Sequence, residues 1–168
     1  MLKFLVKLSW ILNMYYIKLE TPIGNLIIIE ENKKIKELIL PNKYNAYDLT
    51  SLKEKETSLL KEAKQQLNLY FNKELKEFNL PLNIEGTEFQ KKVYQFLMDI
   101  PYGKTCSYQD IAIKIHNPKS VRAVGNANNK NKIPIIIPCH RVIGKNKKLI
   151  GYGGGLDIKE QLLWLEKE

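Results

Sequence analysis

Two reactive side chains stand next to each other in this chain. They are the thiol of Cys139 and the imidazole of His140, within Ile-Pro-Cys-His-Arg-Val-Ile-Gly at residues 137–144. A cysteine attacks as the thiolate, and a nearby base is the usual way to make one. Both cysteines (Cys106, Cys139) and both histidines (His116, His140) fall in the C-terminal half, so cysteine chemistry has one obvious location. Adjacent residues of a strand point to opposite faces, so the pair can cooperate only if Pro138 begins a turn or short helix. On these residues alone, a nucleophile with its base and a buried cysteine beside a capping histidine are equally good readings.

The elements that must position this pair follow from periodicity. Residues 15–21 and 24–31 read as strands rich in Ile, Leu and Tyr, joined by Thr-Pro-Ile-Gly turn chemistry. Residues 35–40 read as a third strand stopped by Pro41, and 42–55 as a polar loop. Leu59, Leu60, Ala63, Leu67 and Tyr70 recur at helical spacing and predict a helix over 58–71. Pro81 and Gly86 mark a boundary, with one domain over 14–82 and a second over 83–168. Thr87 with Gln90 is a capping box that opens a helix ended by Pro101-Tyr102-Gly103. Ser107 with Asp110 opens a shorter helix carrying Ile111, Ala112 and Ile115. Asn117-Pro118 is expected to cap a third, with proline in its first turn. Lys119, Arg122 and Asn126 then share a polar face, and Ala123, Gly125 and Ala127 allow close approach. Two short helices around a tight turn, the second basic, fit a helix-turn-helix or an ordinary helical hairpin. Residues 145–148 form a basic loop. Tyr152-Gly153-Gly154-Gly155 is a glycine-rich loop with no Gly-Lys-Ser/Thr after it, which excludes a P-loop. Its backbone N–H groups suit a closely approaching ligand. A last helix is expected from Asp157, with Glu160 as cap partner.

Composition narrows the partner. The 168 residues are 44% apolar and carry 27 Lys and Arg against 18 Asp and Glu, a net charge of +9. Between Lys91 and Lys148 twelve basic residues meet only Asp99 and Asp110, an excess that suits nucleic acid. Two cysteines make no disulfide framework in a chain this long, which favours a reducing cytoplasm. No Cys-x-x-Cys or His-x-x-x-His spacing exists, so no metal site is expected. Residues 1–13 are apolar but broken by Lys3 and Lys7, too short to span a bilayer and without a signal-peptide cleavage site. Met14 is the expected natural start and 1–13 an extension; no membrane association is expected.

Phe-Gln at 89–90, Ser-Tyr-Gln at 107–109, Arg-Ala-Val-Gly at 122–125, Pro-Cys-His-Arg-Val at 138–142 and Gly-Gly-Leu with Lys-Glu across 154–160 occur together in one order. In these motifs the chain resembles the O6-alkylguanine-DNA alkyltransferases, closely from Thr87 to about Glu166 and in general architecture before that. The resemblance implies an α/β (α+β) chain, with a small sheet-plus-helix domain followed by a mainly helical, winged-helix-like DNA-binding domain. It implies that Cys139 accepts the alkyl group, His140 takes the thiol proton through a water, Glu166 orients His140 and Asn131 braces the turn. Tyr108 would protonate the departing guanine and help to rotate the nucleotide out. Arg122 would enter the duplex in its place, on a helix whose Lys119, Ala123, Gly125 and Asn126 meet DNA. Tyr152, Gly153 and Lys159, with Pro134 and Val142, would wall the base pocket. The implied partner is double-stranded DNA carrying O6-alkylguanine, met by a monomer through the minor groove with no cofactor. Gly153 stands where many relatives have serine, leaving a backbone donor without a hydroxyl. The zinc ligands that some relatives carry in the N-terminal domain have no counterpart, since that domain holds neither cysteine nor histidine. Three rival functions stand beside it: an alkyltransferase-like damage sensor, which lacks the acceptor cysteine; a winged-helix regulator with an incidental Cys-His; and a Cys-His hydrolase, which lacks a distant histidine in a suitable context, since only His116 remains.

Overall fold

The computed structural model describes residues 13–167. The expectation for 1–13 thus lies outside the described residues, apart from Asn13. The chain divides into two compact units between Asn83 and Ile84.

In the first unit, β1 (Met14–Thr21) and β2 (Gly24–Glu31) form an antiparallel hairpin running from Met14↔Glu31 to Thr21↔Gly24. Asn32 and Lys33, at φ 51° and 60°, turn the chain into β3 (Lys34–Ile39). A two-residue turn of this hand matches the twist of the strands it joins. Leu26, Ile27, Ile28 and Ile29 of β2 are all fully buried. Neighbours on a strand face opposite ways, so both faces of the sheet must be covered.

The cover comes from two places, one of them unforeseen. Residues 42–55 are not a solvated loop. They hold most of the short helix α1 (Pro41–Tyr44) and the strand β4 (Lys53–Glu54), which pairs parallel to β1 and completes the order β3-β2-β1-β4. Tyr44, Tyr47, Leu49 and Leu52 pack on Tyr16, Ile27, Ile29 and Ile39. Their apolar side chains sit at irregular spacing among Asn, Lys and Asp, so no period betrays them. Helix α2 (Ser58–Phe71), capped by the Thr57 hydroxyl, packs on the sheet and buries Leu60, Ala63, Leu67 and Tyr70.

In the second unit, α3 (Glu88–Met98) opens on the expected capping box, with both Thr87 and Gln90 side chains engaged. It buries Val93, Tyr94 and Leu97. The strand β5 (Cys106–Ser107) precedes α4 (Tyr108–Lys114), which has its own capping box from Ser107 and Asp110. Helix α5 begins later than the proline suggests, at Val121–Asn129, with Ser120 as its N-cap residue. Residues 117–120 close a separate turn, in which the Ser120 N–H and hydroxyl both bond the Asn117 carbonyl. Lys119 therefore stands before the helix and not on its face with Arg122 and Asn126. After the turn at Cys139–Arg141, β6 (Val142–Ile143) pairs parallel to β5, a long-range pairing without a local signal. The last helix, α6 (Leu156–Leu165), starts at Gly155, at φ 91°, with no side-chain cap. Asp157 falls in its first turn, so the expected Asp157–Glu160 cap does not form.

Candidate active site

The turn that carries Cys139 is built by its flanks. Pro138, at φ −80° and ψ 63°, takes the chain out of extended geometry, and Cys139–Arg141 form one 3-10 turn closed by Arg141 N–H on the Pro138 carbonyl at 3.0 Å. The condition for Cys139 and His140 to work together is thereby met. Asn131 holds the approach: its Nδ2 donates to the Ile137 carbonyl at 2.8 Å and its Oδ1 accepts from Ile133 N–H at 3.0 Å. Asn128, on the inner side of α5, donates to the Cys139 carbonyl at 3.3 Å, and its amide lies beside the Tyr108 hydroxyl. Cys139, His140 and Arg141 are all buried.

Glu166 organises the charge. Its carboxylate lies 2.7 Å from His140 Nε2 and accepts from Arg141 Nε at 2.9 Å, Arg141 Nη2 at 3.0 Å and Gly103 N–H at 3.3 Å. Burial alone would push this carboxyl up. The hydrogen bonds and charges of His140 and Arg141 outweigh it and hold the group down at about 2. An ionised Glu166 requires a proton on His140 Nε2, which leaves Nδ1 with the lone pair. Nδ1 is buried and has no hydrogen-bond partner among the described residues. The His140 pKa is lowered, first by burial, against the pull of Glu166 and with help from Arg141 and Lys159. The ring therefore holds its second proton less tightly than a free imidazole does.

The thiol is at rest. Burial pushes Cys139 up to about 11, opposed by the Asn131 side chain, the Lys159 charge, its own backbone N–H and Tyr152. The buried Tyr152 hydroxyl interacts with the sulfur, although no hydrogen bond of good geometry forms there. Tyr108 is pushed up to about 12, by burial and then by Cys139, and stays a phenol able to give a proton. Its hydroxyl donates to the Ile150 and Gly151 carbonyls at 2.9 and 3.1 Å. Lys159 Nζ donates to the same carbonyls at 2.9 and 3.3 Å and lies 5.9 Å from the Tyr108 ring centroid. Burial lowers this ammonium to about 8.

Cys139, His140, Glu166, Asn131, Tyr108, Tyr152 and Lys159 thus form one cluster. Gly153 lies in the adjoining exposed loop. Pro134 and Val142 are buried, with Pro134 bridged to Ile137 and Val142 paired with Cys106. On α5, Arg122, Ala123 and Asn126 face solvent while Val124, Ala127 and Asn128 face inward. Gly125 is half-buried, and a Cβ there would lie 3.9 Å from the Tyr108 ring. Cys106 is half-buried, and its thiol is pushed up to about 12 by burial and by Asp110. His116 is an exposed helix-end residue at φ 58°. The sequence reading passed over Arg141, Asn128 and Gly103. Arg141 stands inside the conspicuous motif, and Asn128, four residues after the buried Val124, lies on the same side of its helix. Among the described residues no cluster of His, Cys, Asp and Glu could hold a metal.

Two short helices joined by a turn thus stand with a buried thiol, a His–Glu pair and a phenol. Two family descriptions match the chain. One is 6-O-methylguanine DNA methyltransferase, DNA binding domain, over residues 88–168; the other is its ribonuclease-like domain, over 14–84. The chain belongs to the 6-O-methylguanine DNA methyltransferase family. The constitutive methylated-DNA–protein-cysteine methyltransferase of Bacillus subtilis is 51% identical over 91% of this chain and 95% of its own. A Methanosarcina acetivorans protein of the same name is 48% identical over 91% and 98%. The crystal structure of Mycobacterium tuberculosis OGT in complex with DNA is similar with a TM-score of 0.84 at 42% identity, covering 91% of this chain and 92% of that one.

Proposed function

We propose that the protein repairs double-stranded DNA by moving the alkyl group of O6-alkylguanine onto the sulfur of Cys139. The observation that carries this reading is the line from Cys139 through His140 to Glu166, with Tyr108 in the same cluster. The reaction is a displacement at the alkyl carbon: the carbon–O6 bond breaks and a carbon–sulfur bond forms. The thiol proton passes to His140 Nδ1 through a water. Tyr108 gives a proton to the departing guanine, which then leaves neutral, and solvent restores the phenol from the imidazolium. No cofactor takes part.

The alkyl group is hidden in a duplex, so the nucleotide must be rotated out at a cost of a few kcal/mol. Arg122, exposed on α5, fills the vacated place. The small exposed Ala123 beside it suits the narrow minor groove, and Lys119 and Asn126 contact the backbone. Tyr152, Lys159 and the backbone near Gly153 receive the base. A reactant that must remain a thiol belongs in a reducing cytoplasm. Among the described residues no helix is long and apolar enough to cross a membrane.

The product is a thioether, which no second thiol can exchange, so Cys106 cannot restore Cys139 and each molecule reacts once. A damage sensor would lack the acceptor, and Cys139 is present. The test is to incubate the protein with a duplex containing O6-methylguanine and weigh the Cys139 peptide. One added methyl per molecule is expected; an unchanged mass, or several turnovers per Cys139, overturns the reading.

A further inference from the structure

Arg141 is the one guanidinium inside the site. Its three nitrogens are all used: Nε and Nη2 bond the two oxygens of Glu166, and Nη1 donates to the Ile100 carbonyl at 2.6 Å. The fork is bidentate, the strongest geometry available to an Arg–carboxylate pair. The same Glu166 Oε1 meets His140 Nε2. Two side chains therefore share one carboxylate, and Arg141 engages both of its oxygens.

This sharing decides what His140 is. A carboxylate with imidazole as its sole buried counter-ion would draw a proton onto the ring and hold it there. A ring so charged cannot accept a second proton from a thiol. With Arg141 present, Glu166 is already neutralised, and the ring can meet it as a neutral N–H donor. We propose that Arg141 is a positioning residue for the alkyl transfer: by clamping both Glu166 oxygens it keeps His140 an uncharged base with Nδ1 free for the thiol proton. The orphaned, buried Nδ1 is the atom this arrangement leaves available. The other groups facing His140 are Cys139 beside it and Lys159 from α6, while Tyr152 faces both Cys139 and Glu166. None of these contributes a second carboxylate. The inference rests on the alkyl-transfer reading above.

The experiment measures single-turnover transfer from an O6-methylguanine duplex against pH for the full chain, with Arg141→Gln and Arg141→Lys alongside. Arg141→Gln is expected to move the acid limb up by about one to two pH units, because a like charge a few ångströms away is lost. Arg141→Lys restores the charge without the fork and should return the limb to within about half a unit of wild type. A purely structural arginine would lower the rate equally at every pH; an unmoved limb, or one that moves down, overturns the proposal. Should the glutamine variant not fold, ring-nitrogen NMR of His140 in the unmodified protein decides. A neutral ring protonated at Nε2 at pH 7 supports the proposal and an imidazolium overturns it. Absence of transfer by the unmodified protein at any pH would instead sink the functional reading.

Discussion

Replacing Glu166 by glutamine removes one charge with almost no change of shape. Glu166 is 1% exposed and accepts from His140, from Arg141 twice and from Gly103. Its carboxyl titrates at about 2 in the fold against 4.5 for the free group. A carboxyl whose folded pKa is depressed gives stability that is complete above the unfolded value. That stability is lost as pH falls through the folded one. Here the difference amounts to about 3 kcal/mol, present in full above pH 4.5 and gone near pH 2. Breaking a buried ion pair from one side costs about 3 to 5 kcal/mol, which agrees. Glu166→Gln should therefore be about 3 kcal/mol less stable than the unmodified protein at pH 7. That gap should close between pH 4.5 and 2, where Glu166 also becomes neutral. Urea unfolding at a series of pH values, followed by Trp164 fluorescence in a Trp10→Phe background, reads the gap directly. A gap below about 1 kcal/mol at pH 7, or one that ignores pH across this window, would refute the account of the carboxylate.

Three further outcomes are expected. Tyr108→Phe removes the phenol hydroxyl but keeps the ring, and single-turnover transfer should slow by about 10²- to 10⁴-fold, with duplex affinity nearly unchanged by fluorescence anisotropy. Arg122→Ala should impair transfer from a duplex much more than from a free O6-alkylguanine base, since only the duplex needs the vacated place filled; equal losses on both would contradict the wedge role. Gly103 sits at φ 73°, and a Cβ there would lie 2.8 Å from the Glu166 carbonyl oxygen. Gly103→Ala should therefore cost more than about 1 kcal/mol in thermal unfolding, and it should slow transfer by shifting Glu166.

The sequence spoke most clearly where local chemistry is self-contained. The capping boxes at Thr87 and Ser107 name their helix starts to the residue, because both partners lie within four positions. At Pro138 the sequence set only a condition, that a turn begin there, and the structure meets it. The start of α5 was misread because proline is at home both in a helical first turn and in a separate turn. Only the Ser120–Asn117 bonds distinguish the two. Residues 42–55 misled because their apolar side chains cover a sheet face without any period. The Arg141 fork and the β5–β6 pairing join positions 25 and 36 residues apart, so nothing near either partner records them.

The burial of Cys139 also determines how long the protein keeps. Burial pushes the thiol up, so the resting sulfur carries its proton at pH 7. Oxidation follows thiolate content and access, and Cys139 offers little of either at 3% exposure. Each molecule reacts once, so a Cys139 oxidised beforehand is one repair lost. The closed turn around the sulfur therefore acts as packaging: it gives the reagent a shelf life until a lesion arrives.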